Sequence, residues 1–237
     1  MRIYSDCYQL ISECFRDLDE MGILVKPKSF QNKNIEGNED FETKEIRNYV
    51  YTLLSLNKSE YLFIFDPKSK EWADKEFEER ISHTYINPGT AWTLRYDLWG
   101  QFLNEAGLFD YTYNGRIQPD GNLALIIKEL KRNPDTRQAW LPIFHEKDTR
   151  YMGGIRRIPC SLGYHFMVRD GVLHMDYIQR SADAVTHFGN DVYLAWQLMD
   201  YVAIMTGYST GYLTHIIFSF HAYKKDWKIL SNGISKL

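Results

Sequence analysis

Cysteine is scarce in this sequence: three residues in 237, Cys7, Cys14 and Cys160. An odd, sparse set cannot all pair within one chain, which excludes a disulfide-built secreted scaffold and suits a reducing compartment. Long apolar runs are missing too. No uncharged stretch approaches the ~18 apolar residues of a membrane span, and the start, Met1-Arg2-Ile3-Tyr4-Ser5-Asp6, has no apolar signal core. The expectation is a cytoplasmic protein without membrane contact. Charge of one sign is not in excess, since 28 Lys+Arg stand against 31 Asp+Glu for a net charge of -3. That balance argues against direct nucleic-acid binding by bulk charge, yet leaves room for a few focused cations around a small phosphorylated ligand. Cys-x-x-Cys, His-Glu-x-x-His, a Walker loop and Gly-x-Gly-x-x-Gly are all absent, so no metal and no dinucleotide are expected. What is present is apolar: 44% hydrophobic residues and 15% aromatics, enough for a sizeable core.

No stretch reads as a linker and no repeat is visible, so residues 1–237 are expected to form a single domain. The first helix spans Asp6 to Met21, with Gly22 as its stop; Lys28 to Lys44 reads as a polar surface loop. Apolar spacing at Ile46, Val50, Leu53 and Leu54 predicts a second helix over Glu45 to Leu56, and a charged third helix covers Ser69 to Ser82. Asp120 is placed to cap a helix carrying Leu123, Ile126, Ile127 and Leu130, which Asn133-Pro134 ends. Gln138 to Phe144 reads as a strand. Ser161 to Val168 and Val172 to Ile178 flank Asp170-Gly171, a hairpin signal. A helix from Asp191 to Met205 stops at Gly207, and a strand from Tyr212 to Phe220 delivers His221 and Tyr223 at its end. This irregular alternation predicts an α+β fold with a mixed β-sheet flanked by helices.

Cys160 stands apart from the other two cysteines by its company. It opens one strand of the hairpin, and Gln179-Arg180-Ser181 closes the other, so Cys160 and Arg180 should meet at one edge, where a guanidinium favours the thiolate. Arg150, Arg156 and Arg157 lie just upstream. Arg137 sits at a helix-to-strand junction, a common place for a solvated arginine. Glu76 lies in the run Asp74-Lys75-Glu76-Phe77-Glu78-Glu79-Arg80, and such runs usually mark a wet helix face. His221 and Tyr223 alternate along one strand and can face one side.

Together these residues resemble the thymidylate synthase family. The resemblance runs from Asn133-Pro134-Asp135-Thr136-Arg137, through Pro159-Cys160 and Gln179-Arg180-Ser181-x-Asp183, to position 191 and His221-x-Tyr223, with the intervening separations matching without a gap. It implies transfer of a one-carbon unit from 5,10-methylenetetrahydrofolate to C5 of a pyrimidine nucleoside monophosphate. It further implies Cys160 as the nucleophile at C6, with Arg180 and Ser181 on the 5′-phosphate and Gln179 beside them. Arg137 would come from the partner subunit of a homodimer, His221 and Tyr223 would hold the sugar hydroxyl, and Asp183 the folate. Glu76 is the best match to the family's glutamate, which organises water and proton transfer near the base.

Position 191 is where thymidylate synthases carry an asparagine that reads uracil; here it is Asp191. A carboxyl can accept from the cytosine amino group and pair with N3, whereas an ionised one facing the uracil O4 is an unpaired contact costing ~1–3 kcal/mol. The run Phe188-Gly189-Asn190-Asp191 resembles phage deoxycytidylate hydroxymethylases, which would put the protein in a host cytoplasm; a one-residue gap would instead put Asn190 in the site. Gln138 replaces the second arginine of the family pair, Ser161 replaces a histidine, and the sequence ends 14 residues after Tyr223. Without a closing tail water could enter, so hydroxymethyl rather than methyl product is expected. The expectation is therefore a folate-dependent dCMP 5-hydroxymethylase. The alternatives are a 5-methyl-dCMP synthase, an enzyme acting on dUMP, a cysteine hydrolase using His165 or His174, and a non-catalytic nucleotide binder.

Overall fold

The computed structural model describes residues 2–30, 33–154 and 156–232. In chain order the strands are β1 (Arg2–Tyr4), β2 (Ile23–Val25), β3 (Ser29–Phe30), β4 (Lys33–Asn34), β5 (Thr43–Leu53), β6 (Trp140–Pro142), β7 (Ser161–Arg169), β8 (Val172–Gln179), β9 (Ala182–Asp183) and β10 (Ser209–Tyr223). The helices are α1 (Cys7–Met21), α2 (Ser69–Arg80), α3 (Tyr96–Trp99), α4 (Tyr113–Ile117), α5 (Ala124–Arg132), α6 (Phe188–Thr206) and α7 (Trp227–Asn232). One mixed sheet runs β1-β5-β10-β8-β7-β6, with β2 added to β5 and β9 to β10. β10 pairs antiparallel with β5 and parallel with β8, and β7–β8 is the antiparallel hairpin that Asp170-Gly171 signals.

Helix α1 starts where Asp6 accepts from the Gln9 amide, 2.9 Å, and ends at Gly22, whose N–H returns to Leu18. Its buried stripe, including Leu10, Phe15 and Leu18, packs on the same sheet face as α6, where Phe188 meets Tyr51 and Phe220. Cys7 and Cys14 are fully buried in this core. Among the described residues no helix is long and apolar enough to cross a membrane.

Several sequence expectations are corrected. The segment expected to be a helix over Glu45 to Leu56 is strand β5: Tyr49, Tyr51 and Leu53 alternate inward, and both edges find partners, β10 on one side and β1 and β2 on the other. Strand pairing from distant segments overrides a helical spacing that both periods satisfy. Asp120 caps no helix; it pairs with His83 from within a π-helical turn over Pro119–Leu123, and α5 begins after that turn at Ala124. Lys28 to Lys44 holds β3, β4, a short 3-10 turn at Glu39–Phe41 and the start of β5, with residues 31 and 32 outside the described set. The strand expected over Gln138 to Phe144 shortens to β6, and β10 runs through His221 and Tyr223 instead of stopping before them. Helix α6 opens three residues before Asp191, which therefore sits in its first turn.

Candidate active site

The hairpin register pairs Ser161 with Gln179, so Cys160 and Arg180 meet beyond its open end. The Arg180 amide donates to the Cys160 carbonyl, 2.9 Å. Its guanidinium donates from Nε to Pro159 O at 3.0 Å and lies 3.7 Å from the Cys160 Sγ. The cysteine is exposed, yet the protein around its sulfur keeps part of the solvent away. Desolvation therefore pushes the thiol pKa up; Arg180 pulls it down, Asp191 adds to the rise, and Arg157 opposes it. The next residue, Ser161, is fully buried; its Oγ shares hydrogen bonds with Tyr177 OH at 2.6 Å and Tyr113 OH at 2.8 Å.

Asp191, projected from the first turn of α6, receives a hydrogen bond from Gln179 Nε2 to its Oδ2 at 2.9 Å. Burial raises its pKa to about 6, against the Gln179 hydrogen bond and the charge of Arg80. The neighbouring Asn190 is buried, and its Oδ1 has no hydrogen-bond partner among the described residues. The helix start is fixed from behind, because a Cβ on Gly189 would lie 1.8 Å from the Leu62 carbonyl oxygen.

Asp183 caps the turn that leads into α6, its Oδ1 accepting from Val185 N at 3.1 Å and Thr186 N at 3.2 Å. β9 pairs Asp183 with His221, and the His221 and Tyr223 rings meet edge to face with centroids 5.4 Å apart. Burial first, then the charges of Asp183 and Cys160, push the Tyr223 hydroxyl up to about 12, which brings these groups into one electrostatic neighbourhood. Ser181 lies half-buried between β8 and β9.

Glu76 is drawn into this cluster rather than left on a wet face. Arg80 Nε donates to its Oε1 at 2.9 Å, and burial raises its pKa against the pull of Arg80 and Arg157. Arg80 is itself buried, 3.8 Å above the Tyr113 ring, so Glu76, Arg80, Tyr113 and Ser161 form one braced wall. The sequence reading missed Arg80, although its i+4 spacing from Glu76 was the available signal. It also missed a cluster of aromatics and cations: Arg157 over Phe102 at 4.2 Å and over Trp99 at 5.0 Å, with Trp99 beside His187. Here Trp99 Nε1 and Arg95 Nη1 are buried donors with no acceptor among the described residues. Arg137 is not gathered in. It lies exposed at the far edge of the sheet, where His165 Nε2 meets its carbonyl at 3.1 Å; among the described residues no carboxylate pairs with its guanidinium.

The family model described as thymidylate synthase matches residues 58–236. A Methanosarcina barkeri protein named "Putative thymidylate synthase" is 30% identical over 132 residues, covering 52% of this chain and 58% of that protein. A Methanococcoides burtonii protein of the same name is 30% identical over 127 residues, 50% of this chain and 55% of that one. A Glaesserella parasuis "Thymidylate synthase" is 29% identical over 108 residues, 46% of this chain and 37% of that one. The alignments thus span little more than half of these relatives, or less. With most of its length matched by the family model, the chain belongs to the thymidylate synthase family.

Proposed function

We propose that the protein is a single-domain, folate-dependent enzyme that hydroxymethylates C5 of dCMP. The observation that carries the choice of base is Asp191: a carboxyl, not an amide, held by Gln179 and with its pKa at about 6. Near neutrality such a group exchanges a proton readily. Protonated, it donates to cytosine N3 and accepts from the 4-amino group; neither ionised nor locked in that state does it complement uracil.

Cys160, as thiolate, forms a bond from Sγ to C6, and the C5=C6 electron pair moves to C5, which becomes the nucleophile. Once C5 has bonded the new carbon, loss of the C5 proton supplies the pair that lets the carrier leave that carbon; a water oxygen then bonds to it, the pair returns to C5=C6, and the Sγ–C6 bond breaks to free the thiolate. Arg180 holds the cysteine turn and, with Ser181, offers its guanidinium to the 5′-phosphate; a bound phosphate would compete for the cation that steadies the thiolate. Glu76, held by Arg80, orders water beside the base, and that water supplies the new hydroxyl. His221 and Tyr223 hold the sugar hydroxyl. When bound, methylenetetrahydrofolate supplies the one-carbon unit. The flat rings of Trp99 and Phe102 and the unpaired donors on Trp99 and Arg95 fit a flat, acceptor-rich heterocycle, with Asp183 beside them.

Incubation with methylenetetrahydrofolate and either dCMP or dUMP, followed by mass analysis, tests this reading. 5-Hydroxymethyl-dCMP is expected; a 5-methyl product from dCMP would make it a methyl-dCMP synthase. The names of the relatives favour a second reading, synthesis of thymidylate from dUMP, which exclusive turnover of dUMP would establish.

A further inference from the structure

His215 is fully buried in the middle of β10, below the site and out of reach of any substrate. It is nevertheless hydrogen-bonded at both ring nitrogens: Tyr51 OH meets Nδ1 at 2.9 Å, and Gln179 Oε1 meets Nε2 at 2.8 Å. Gln179 in turn donates from Nε2 to Asp191 Oδ2 at 2.9 Å. Four side chains from β5, β10, β8 and α6 thus form one unbranched relay that ends on the carboxyl assigned above to reading the base.

The chemistry of each link fixes its direction. An amide that donates through nitrogen to Asp191 must present its oxygen to His215, and an amide oxygen only accepts. Nε2 of His215 therefore carries a hydrogen. Burial holds the ring neutral, with its pKa lowered to about 3, so Nδ1 is bare and accepts from Tyr51, whose own ionisation burial suppresses. No charged group contacts the ring; its neighbours are the stacked Tyr177 at 4.5 Å and Phe188 at 6.0 Å. Among the described residues no other hydrogen bond reaches the Asp191 carboxyl.

We propose that His215 is a positioning residue for base selection: through Gln179 it dictates which oxygen of Asp191 carries the proton. This rests on the reading of Asp191 as the base-contacting group. With a donor from Gln179 engaging Oδ2, the proton of the neutral acid resides on Oδ1. The carboxyl then presents a donor at one oxygen and an acceptor at the other, in the order that N3 and the 4-amino group of cytosine require. The opposite histidine tautomer would invert the relay. Gln179 would turn its oxygen to Asp191, the proton would move to Oδ2 and be spent on that oxygen, and Oδ1 would face cytosine N3 as a bare acceptor. Discrimination between the two bases is thus set two residues away from the base.

The relay is tested directly and through binding. Nitrogen-15 chemical shifts of labelled wild-type protein at neutral pH should report His215 as the neutral Nε2–H tautomer; an Nδ1–H tautomer or an imidazolium overturns the proposal. Calorimetric titration with dCMP and with dUMP should then show His215→Phe losing about tenfold or more of the wild-type dCMP preference, the scale of one buried hydrogen-bonding mismatch. His215→Gln, which can still accept from Tyr51 and donate to Gln179, should keep most of it. If His215→Phe does not fold, Tyr51→Phe, which frees Nδ1 and lets the tautomers mix, should lower the preference in the same direction. Unchanged preference in a folded His215→Phe or in Tyr51→Phe overturns the relay. A wild type with the expected tautomer that prefers dUMP would instead sink the reading of Asp191 and leave the relay standing.

Discussion

At the scale of single residues, Asp191 sets function against stability. Its native pKa lies at about 6, above the ordinary carboxylate value of 3.8. The native state therefore binds this proton more tightly than the unfolded chain, and ionising Asp191 destabilises the fold. That cost is absent below the unfolded pKa, grows between the two values and is complete above about pH 6. Asp191→Asn should accordingly raise the melting temperature near pH 8, by an amount equivalent to about 1–3 kcal/mol, and the gain should vanish near pH 4. Equal gains at both pH values would contradict the burial argument. The same variant should shift binding preference toward dUMP. Cys160 makes the complementary case for reactivity. Its thiol is raised by desolvation and held down by Arg180, so Arg180→Met should slow iodoacetamide labelling of Cys160 by about tenfold or less at neutral pH. The difference should narrow as pH approaches the thiol pKa. Faster labelling in the variant would mean that Arg180 shields the sulfur more than it activates it.

At the scale of elements, the legible parts were those with local punctuation. The β7–β8 hairpin follows from Asp170-Gly171, and Gly171, at φ 75°, is the residue type such a turn needs. Helix α1 follows from its cap and stop, and the hairpin alone brings Cys160 to Arg180. β5 was not legible, because its partners β1, β2 and β10 come from distant segments and its apolar spacing also fits a helix. Within the site, the residues on the hairpin, β9 and β10 were readable from spacing. His215 and Trp99 were not: their roles depend on what they are buried against, which no single-sequence pattern carries, whereas Arg80 had its i+4 spacing from Glu76 as a signal. The start of α6 shows how an element fixes a site. Gly189 lets the helix approach the Leu62 carbonyl, and Asp191 follows two residues later. Gly189→Ala should cost several kcal/mol, read as a lower urea midpoint. In whatever fraction still folds, dCMP affinity should fall more than in a variant of equal stability loss elsewhere, such as Leu18→Ala in α1.

At the scale of the whole molecule, the sheet is covered on one face by α1 and α6, and among the described residues it is left open on the other. Across the open face Trp140 is 39% exposed and Phe218 45%, with Ile178 paired to Ile216 in the same layer. An apolar sheet face of this kind calls for a cover. Arg137 stands at its rim, exposed, held through its carbonyl by His165 and remote from the cluster around Cys160. If a second copy covers the face, Arg137 can reach the phosphate of the neighbouring site, and Gln138 beside it loses importance as a missing cation. Light scattering should then give twice the mass of one chain, and Ile216→Asp should give a single chain with little activity. The sharper test mixes two inactive variants. Arg137→Ala keeps its cysteine but offers no arginine; Cys160→Ser offers the arginine but has no nucleophile. A mixed dimer contains one intact site, built from the cysteine of one chain and the arginine of the other. Unfolding and refolding the two together at equal concentration should restore about a quarter of wild-type activity, since half the dimers are mixed and each has one good site. If Arg137 served its own chain, every site would lack one of the two groups and the mixture would stay inactive.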